Sequence, residues 1–343
     1  MSLGRLALFG ILASLLAGCA WMPSTWEPIA FATLPGWQDD RQSEALGAFV
    51  QSCGVQGTRD PWRNVCAAAA EVPPGDDCAA RTFFETWFTP YALDPPEDGL
   101  FTGYYEPLLQ GSRTRHGRYQ TPLWGVPRDL ASGSERRDSY DDRAAIARGS
   151  LHGRAKPLVW VDDPIAAFFL EVQGSGRVKL DTGATVRLGY AAQNGHPYVS
   201  IGRALADAGA IDRPVTMDKI IAWLRAHPAE RQDVLDLNPS VVFFRVVDTP
   251  PNVGPLGAQG VPLTPGRSVA VDPSWPLGTP LWLRLGDGRP WPESSRLVIA
   301  QDRGGAIRGR IRGDIFLGTG PEAGALAGVL QARGGYVKLV PRI

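Results

Sequence analysis

Short apolar runs divided by glycine turns take over the sequence after Pro95-Pro96, and they leave room for little but sheet along most of the chain. Leu100–Tyr105, Leu158–Trp160, Ala167–Gln173, Val178–Leu180, Thr185–Tyr190 and Val241–Val247 are rich in β-branched, aromatic or aliphatic residues and read as strands. Ser268–Val271, Pro280–Leu285, Leu297–Ala300 and Tyr336–Leu339 continue the pattern to the carboxyl end. The 40 glycines and 30 prolines, about a fifth of 343 residues against a usual share of roughly 12%, fit a turn-rich β architecture. At ~150 residues per domain, the length predicts about two domains, each able to bury its own core.

Helical spacing is confined to a few segments. Ala45–Gln51, Asn64–Ala70 and Ala79–Phe88 precede the strands, and Ser200–Ala208 and Met217–Ala226 interrupt them, the last with Thr216 as N-cap and a stop before Pro228. A final helix is expected with Pro321 at N1 behind Gly320 and with Gly334 closing its far end. Trp21–Pro35 is aperiodic and suits a linker or extended arm, and the proline- and glycine-rich Thr249–Pro265 reads as a boundary loop.

Charge and cysteine usage bound the partners. With 35 basic and 35 acidic residues there is no net field to attract nucleic acid. Four histidines and four cysteines include no H-E-x-x-H and no C-x-x-C pair, so neither a metal site nor a cofactor is expected. Arg5 ahead of the apolar stretch Leu6–Leu16 has the form of a signal peptide over residues 1–18, too short for a ~20-residue span. Leu16-Ala17-Gly18-Cys19 resembles the bacterial lipobox, which implies lipidation of Cys19, a lipidated arm over 19–38 and a membrane anchor. Ala20 resembles the signal for passage to the outer membrane, on its periplasmic side; ordinary secretory cleavage with Cys19 incidental is the alternative. Of the remaining Cys53, Cys66 and Cys78, the first two flank a short loop between helical segments, and a Cys53–Cys66 bridge is expected.

Two suggestive strings have plainer readings. Asp181-Thr182-Gly183-Ala184 matches an aspartic-protease motif but has no second copy to share a proton with, so it reads as a hairpin turn. Gly318-Thr319-Gly320 puts its third glycine, Gly324, one place late for a dinucleotide loop and reads as a helix start. A stronger signal is the set of polar residues lodged among strands and glycine turns: Thr102-Gly103-Tyr104-Tyr105-Glu106-Pro107, Gln173-Gly174-Ser175-Gly176, Asp272, Asp302-x-Gly304-Gly305 and Asp314. Glycine beside carboxylates and amides lets a bulky ligand approach the backbone, and aromatic faces stack on sugar rings, which points to a glycan groove.

Leu100–Pro107, Glu171–Val178, Arg187–Arg203, Asn238–Arg245, Pro262–Leu281 and Ala300–Ala327 together resemble the membrane-bound lytic murein transglycosylase A family, in order, from about residue 95 to the end. The resemblance implies a mainly β fold with added helices: a double-psi β-barrel over 39–110 and 245–343, an inserted second β domain over 111–244, and a groove between them. It implies catalytic aspartates at Asp272, Asp302 and Asp314. It implies glycan contacts at Thr102, Gly103, Tyr104, Tyr105, Gln173, Ser175, Asn194, Gly304 and Gly305, while Tyr190 and Trp160 could equally be core. Arg303 stands where such proteins carry a small or apolar residue, and Asp302 and Asp314 lie one residue further apart than in some relatives.

The implied activity is cleavage of the β-1,4 bond between N-acetylmuramic acid and N-acetylglucosamine in peptidoglycan strands, leaving 1,6-anhydromuramic ends, with Asp314 acting as acid and then base. A two-aspartate hydrolase of the same bond and a non-catalytic murein-binding lipoprotein are the rivals; protein partners in wall synthesis or division stay unknown. Alternation of Arg308, Arg310, Arg312 and Asp314 would put three cations on one strand face and lower the acid's pKa. A bend at Gly309 or Gly313 is therefore expected, leaving the arginines for peptide-stem or lactyl carboxylates or, as plainly, for a solvated face.

Overall fold

The computed structural model describes residues 25–94, 99–130, 140–250, 252–286 and 295–342; the signal segment and Cys19 lie outside them. The chain begins with β1 (Thr25–Pro28), then α1 (Gln42–Gln56), α2 (Trp62–Ala70) and α3 (Asp77–Trp87), which leads into β2 (Phe88–Asp94) and β3 (Gly99–Glu106). Cys53 and Cys66 form a disulfide between α1 and α2, with Cα atoms 5.5 Å apart, and Cys78 is free and exposed.

After Pro107 the chain enters a second sheet: β4 (Leu108–Ser112), β5 (Thr121–Trp124), α4 (Arg143–Ala147), β6 (Pro157–Val161), α5 (Pro164–Gln173), β7 (Ser175–Leu180) and β8 (Thr185–Gln193). Helices α6 (Ile201–Asp207), α7 (Met217–Ala226) and α8 (Arg231–Asp236) follow before β9 (Val242–Val246) completes it. The chain then returns with β10 (Ser268–Val271), β11 (Pro280–Leu285), β12 (Ser295–Arg303), β13 (Arg312–Thr319), α9 (Pro321–Val329) and β14 (Gln331–Pro341).

Strands β3, β14, β11, β12, β10 and β13 pair in a closed ring of six, because β14 bonds to both β11 and β3. Closure removes sheet edges, and β2 and β1 extend from β14. Side-chain alternation fills both faces. Leu281 and Leu283 point into the barrel with Phe101, Val298 and Ile315, while Trp282 between them points out to meet Phe49, Phe84 and Phe88 under α1–α3. The second sheet has the order β5-β6-β4-β7-β8-β9 over its own core of Leu109, Val178, Leu188 and Phe244.

Four expectations change. Ala167–Gln173, read as a strand, is the body of α5: Asp163 caps its start by accepting from Ile165 and Ala166 N–H, Pro164 sits at N1, and Gly174 ends it in the left-handed conformation at φ +78°. An uninterrupted apolar run carries no period to separate helix from strand. Gly334 closes no helix; α9 stops at Val329 because Gln331 onward pairs with β3. The arm expected before Pro35 is in part the strand β1, paired with β2 from Thr25 to Pro28. The excursion runs from Leu108 to Val246 rather than from 111 to 244: Pro107 has no N–H to continue the barrel ladder, and Leu108 already pairs with Arg177.

Candidate active site

Strand register sets the site. Ala270 on β10 pairs with Asp302 on β12 to one side and with Asp314 on β13 to the other, and Asp314 pairs with Thr102 on β3. Asp302, Ala270, Asp314 and Thr102 thus form one row across four strands of the barrel wall. Side chains alternate along β13, so Gly313 and Ile315 face the barrel interior and Asp314 faces out with Phe316.

Asp314 Oδ1 accepts from the Thr102 hydroxyl at 2.8 Å, and that hydroxyl accepts from Arg312 Nη2 at 2.9 Å. A guanidinium only donates, so the single hydroxyl proton of Thr102 must point at Oδ1. When Asp314 is protonated, its own proton is left to Oδ2. Burial pushes the Asp314 carboxyl up to about 6, against the Thr102 hydrogen bond and the Arg312 charge, with a smaller push from the Asp302 charge. The bend at Gly309, at φ +108°, lies ahead of β13 and keeps Arg308 and Arg310 off the strand. Arg312 stays beside the acid, tied to Thr102 and to the Leu100 and Gly313 carbonyls.

The other two aspartates sit in different surroundings. Asp302 accepts from the Tyr104 hydroxyl, Ala258 N–H and Arg303 N–H, each at 2.8 Å; burial still raises its pKa above the ordinary carboxylate range. Tyr104 packs on Phe316 and stays a neutral donor because burial and the Asp302 charge push its hydroxyl well up. Asp272 is held below the ordinary range by hydrogen bonds from Ser274 and Gly309 N–H. Those bonds, at 2.9 and 2.8 Å, pin the loop ahead of β13, so Asp272 shapes the site from its rim.

The seam with the second sheet supplies the remaining groups. Gln173, at the end of α5, accepts from Tyr105 N–H at 3.0 Å, and Ser175 opens β7 just beyond it. Tyr105 lies against Gly324 of α9, where a Cβ would stand 2.8 Å from its ring. Gly103 lets α9 and β13 pack closely on β3: a Cβ there would stand 3.1 Å from the Ala327 Cα of α9 and 2.5 Å from the Leu317 side chain of β13. Gly304 and Gly305 lie in the turn after β12, Gly305 with open space where a side chain would be. Asn194 lies elsewhere: its amide donates to the Asp141 and Pro239 carbonyls and accepts from Val241 N–H, deep in the second sheet. Tyr190 is 49% exposed rather than core.

Sequence reasoning passed over Glu106, although it lies within a quoted motif. This carboxylate, 1% exposed, accepts from Arg177 Nε at 2.7 Å and Thr319 Oγ1 at 2.8 Å and pairs with Arg187 at 3.4 Å. An acid in an apolar strand directly before a proline was the available signal. Among the described residues no group of three His, Cys, Asp or Glu is placed to hold a metal, and no helix is long and apolar enough to cross a membrane.

Residues 100–245 match the MltA-specific insert domain and 267–340 the 3D domain. A lytic transglycosylase, LtgG, of Burkholderia pseudomallei shares 46% identity over 94% of this chain and 99% of its own, with a TM-score of 0.64. The chain belongs to the membrane-bound lytic murein transglycosylase A family. The Agrobacterium tumefaciens membrane-bound lytic murein transglycosylase superposes with a TM-score of 0.82 at 32% identity, covering 93% of this chain and 98% of that one. The Escherichia coli K12 membrane-bound lytic murein transglycosylase A is 37% identical over 238 residues, 66% of this chain; the match spans 62% of that relative's length. The E. coli MltA structure with bound chitohexaose covers 94% of this chain at 29% identity, with a TM-score of 0.73. In this chain both matched regions meet at the Asp314–Thr102 pair.

Proposed function

We propose that the chain is a peptidoglycan lytic transglycosylase in which Asp314 alone performs the acid and base steps. The observation that carries this reading is a carboxyl whose pKa is raised to about 6 while its Oδ1 is committed to Thr102. Protonated Oδ2 gives its proton to the β-1,4 oxygen as the bond from C1 of N-acetylmuramic acid to that oxygen breaks. The C6 hydroxyl oxygen of the same ring then bonds to C1, and its proton returns to Asp314. No water is consumed, and the ring closure is intramolecular, which is worth effective molarities of ~10⁵ M or more.

Asp302 adds negative charge for the oxocarbenium-like transition state and fixes Tyr104. Asp272 positions the loop. Gln173, Ser175, Tyr105, Gly304 and Gly305 are the proposed glycan contacts, by their place along the seam; Tyr104 and Gly103 act by shaping it, and Asn194, within the second sheet, takes no part. Chitohexaose bound to the E. coli relative supports an extended β-1,4 glycan as ligand. The lipobox-like Cys19 supports an acyl anchor at the outer membrane, holding the enzyme near its insoluble polymer. Mass spectrometry of fragments from purified sacculi tests the function. Muramic ends one water lighter than the reducing sugar are expected; reducing ends would make the enzyme a hydrolase, and sedimentation with sacculi without release would make it a binding protein.

A further inference from the structure

A recess of about 580 Å³ opens on the barrel with none of Asp272, Asp302 and Asp314 in its lining, walled by Trp26, Trp62 and Trp275 and edged by Lys338 and Arg310. Lys338 follows Gln331, the β14 partner of Thr102, by seven residues, roughly 23 Å of strand from the catalytic row. The volume lies within the ~300–1,000 Å³ of small-molecule sites. Among the described residues no acidic side chain lines it.

The indoles are set into the wall. Trp275 is 7% exposed; its Nε1 donates to the Arg310 carbonyl at 3.0 Å, and its ring meets Trp26 edge-on at 5.7 Å. The Lys338 ammonium lies 4.6 Å from the Trp26 ring centre and 5.6 Å from that of Tyr91, and burial lowers its pKa. A membrane-seeking patch turns its aromatic rings outward. A recess with indole walls and the Lys338 ammonium at its edge instead suits a discrete ligand that offers a ring to stack on and an anion to pair.

We propose that this recess is a second glycan site, selective for a carboxylated amino sugar: an N-acetylmuramoyl unit held by its ring against the indoles and by its lactyl or peptide carboxylate at Lys338. This rests on the reading of peptidoglycan as substrate. Arg310 follows Gly309, whose N–H is pinned by Asp272, so the site shares the loop that borders the catalytic row while engaging a separate stretch of polymer. A second foothold keeps the strand at high effective concentration between cleavages.

The test compares N-acetylmuramic acid with N-acetylglucosamine, which lacks the lactyl carboxylate. Each is titrated into the detergent-solubilised full chain already saturated with chitohexaose, so that the neutral oligosaccharide occupies the cleavage row. The wild type and Asp314→Asn should bind the acid at least tenfold more tightly than the neutral sugar. Lys338→Gln should lose that preference, Lys338→Arg should keep it, and both should cleave short soluble glycans at the wild-type rate. Equal affinities for the two sugars, or an unchanged preference in Lys338→Gln, would overturn the site. Loss of binding to phosphatidylglycerol vesicles in Lys338→Gln, with the sugar preference intact, would make the recess a membrane contact instead. Product release from sacculi, assayed on the same preparations, reports failure of the catalytic reading separately.

Discussion

Thr102 decides which oxygen of Asp314 carries the acidic proton, and it does so because Arg312 leaves its hydroxyl only one way to point. The Thr102 hydrogen bond lowers the Asp314 pKa, so Thr102→Val should move the falling limb of the kcat/KM profile to higher pH; a shift to lower pH would contradict the assignment. The same carboxyl sets a stability dependence. Its folded pKa, about 6, stands above the ordinary 3.8, so its contribution is fully present below about 3.8 and is lost as pH rises through 6. Asp314→Asn mimics the protonated form and should stabilise the fold by on the order of 2–3 kcal/mol at pH 8 and by almost nothing at pH 3. Urea midpoints at the two pH values check both halves of this expectation.

At the scale of elements, β13 works because its two faces meet different demands. Asp314 needs the outer face and Gly313 the inner one, where a Cβ would stand 1.9 Å from the Tyr336 hydroxyl and 3.0 Å from Phe101. That hydroxyl is buried without a hydrogen-bond partner among the described residues, so the interior has no slack to receive it elsewhere. Gly313→Ala should cost ~1–3 kcal/mol of stability by overpacking, read by denaturant unfolding, and should lower kcat by displacing Asp314. The motif Gly313-Asp314-Ile315-Phe316 could be recognised in the sequence. The strand beneath it was harder to see, because glycine and arginine dilute its apolar signal. Helix α5 was misread for the opposite reason: Pro164–Gln173 is so apolar that only its cap, Asp163, and its stop, Gly174, mark it as a helix. Strands β10 and β11 were legible to the residue, since β-branched and apolar runs ended at clear turns.

For the whole molecule, the two sheets are joined through Glu106. It ends β3 in the barrel and pairs with arginines on β7 and β8 of the second sheet, while Thr319 at the end of β13 donates to it. Breaking a buried pair strands the partner charges, so Glu106→Gln should destabilise by ~3–5 kcal/mol, measured by chemical denaturation. If it costs less than about 1 kcal/mol, the seam is held by apolar contact instead. The two-part architecture was legible from the ordered motifs. The junction was not, because a pairing between Glu106 and residues 71 and 81 positions away leaves no local pattern.

The central claim is that one sequestered carboxyl, Asp314, supplies both proton transfers. The pH dependence of kcat/KM on a soluble peptidoglycan glycan tests it most directly, because the free enzyme then needs only a protonated Asp314. A single limb falling near pH 6, with turnover abolished and glycan binding retained in Asp314→Asn, is the predicted result. A bell-shaped profile with a second, acidic limb, or an Asp314→Asn enzyme with unimpaired turnover, would contradict it and move the chemistry to a pair that includes Asp302.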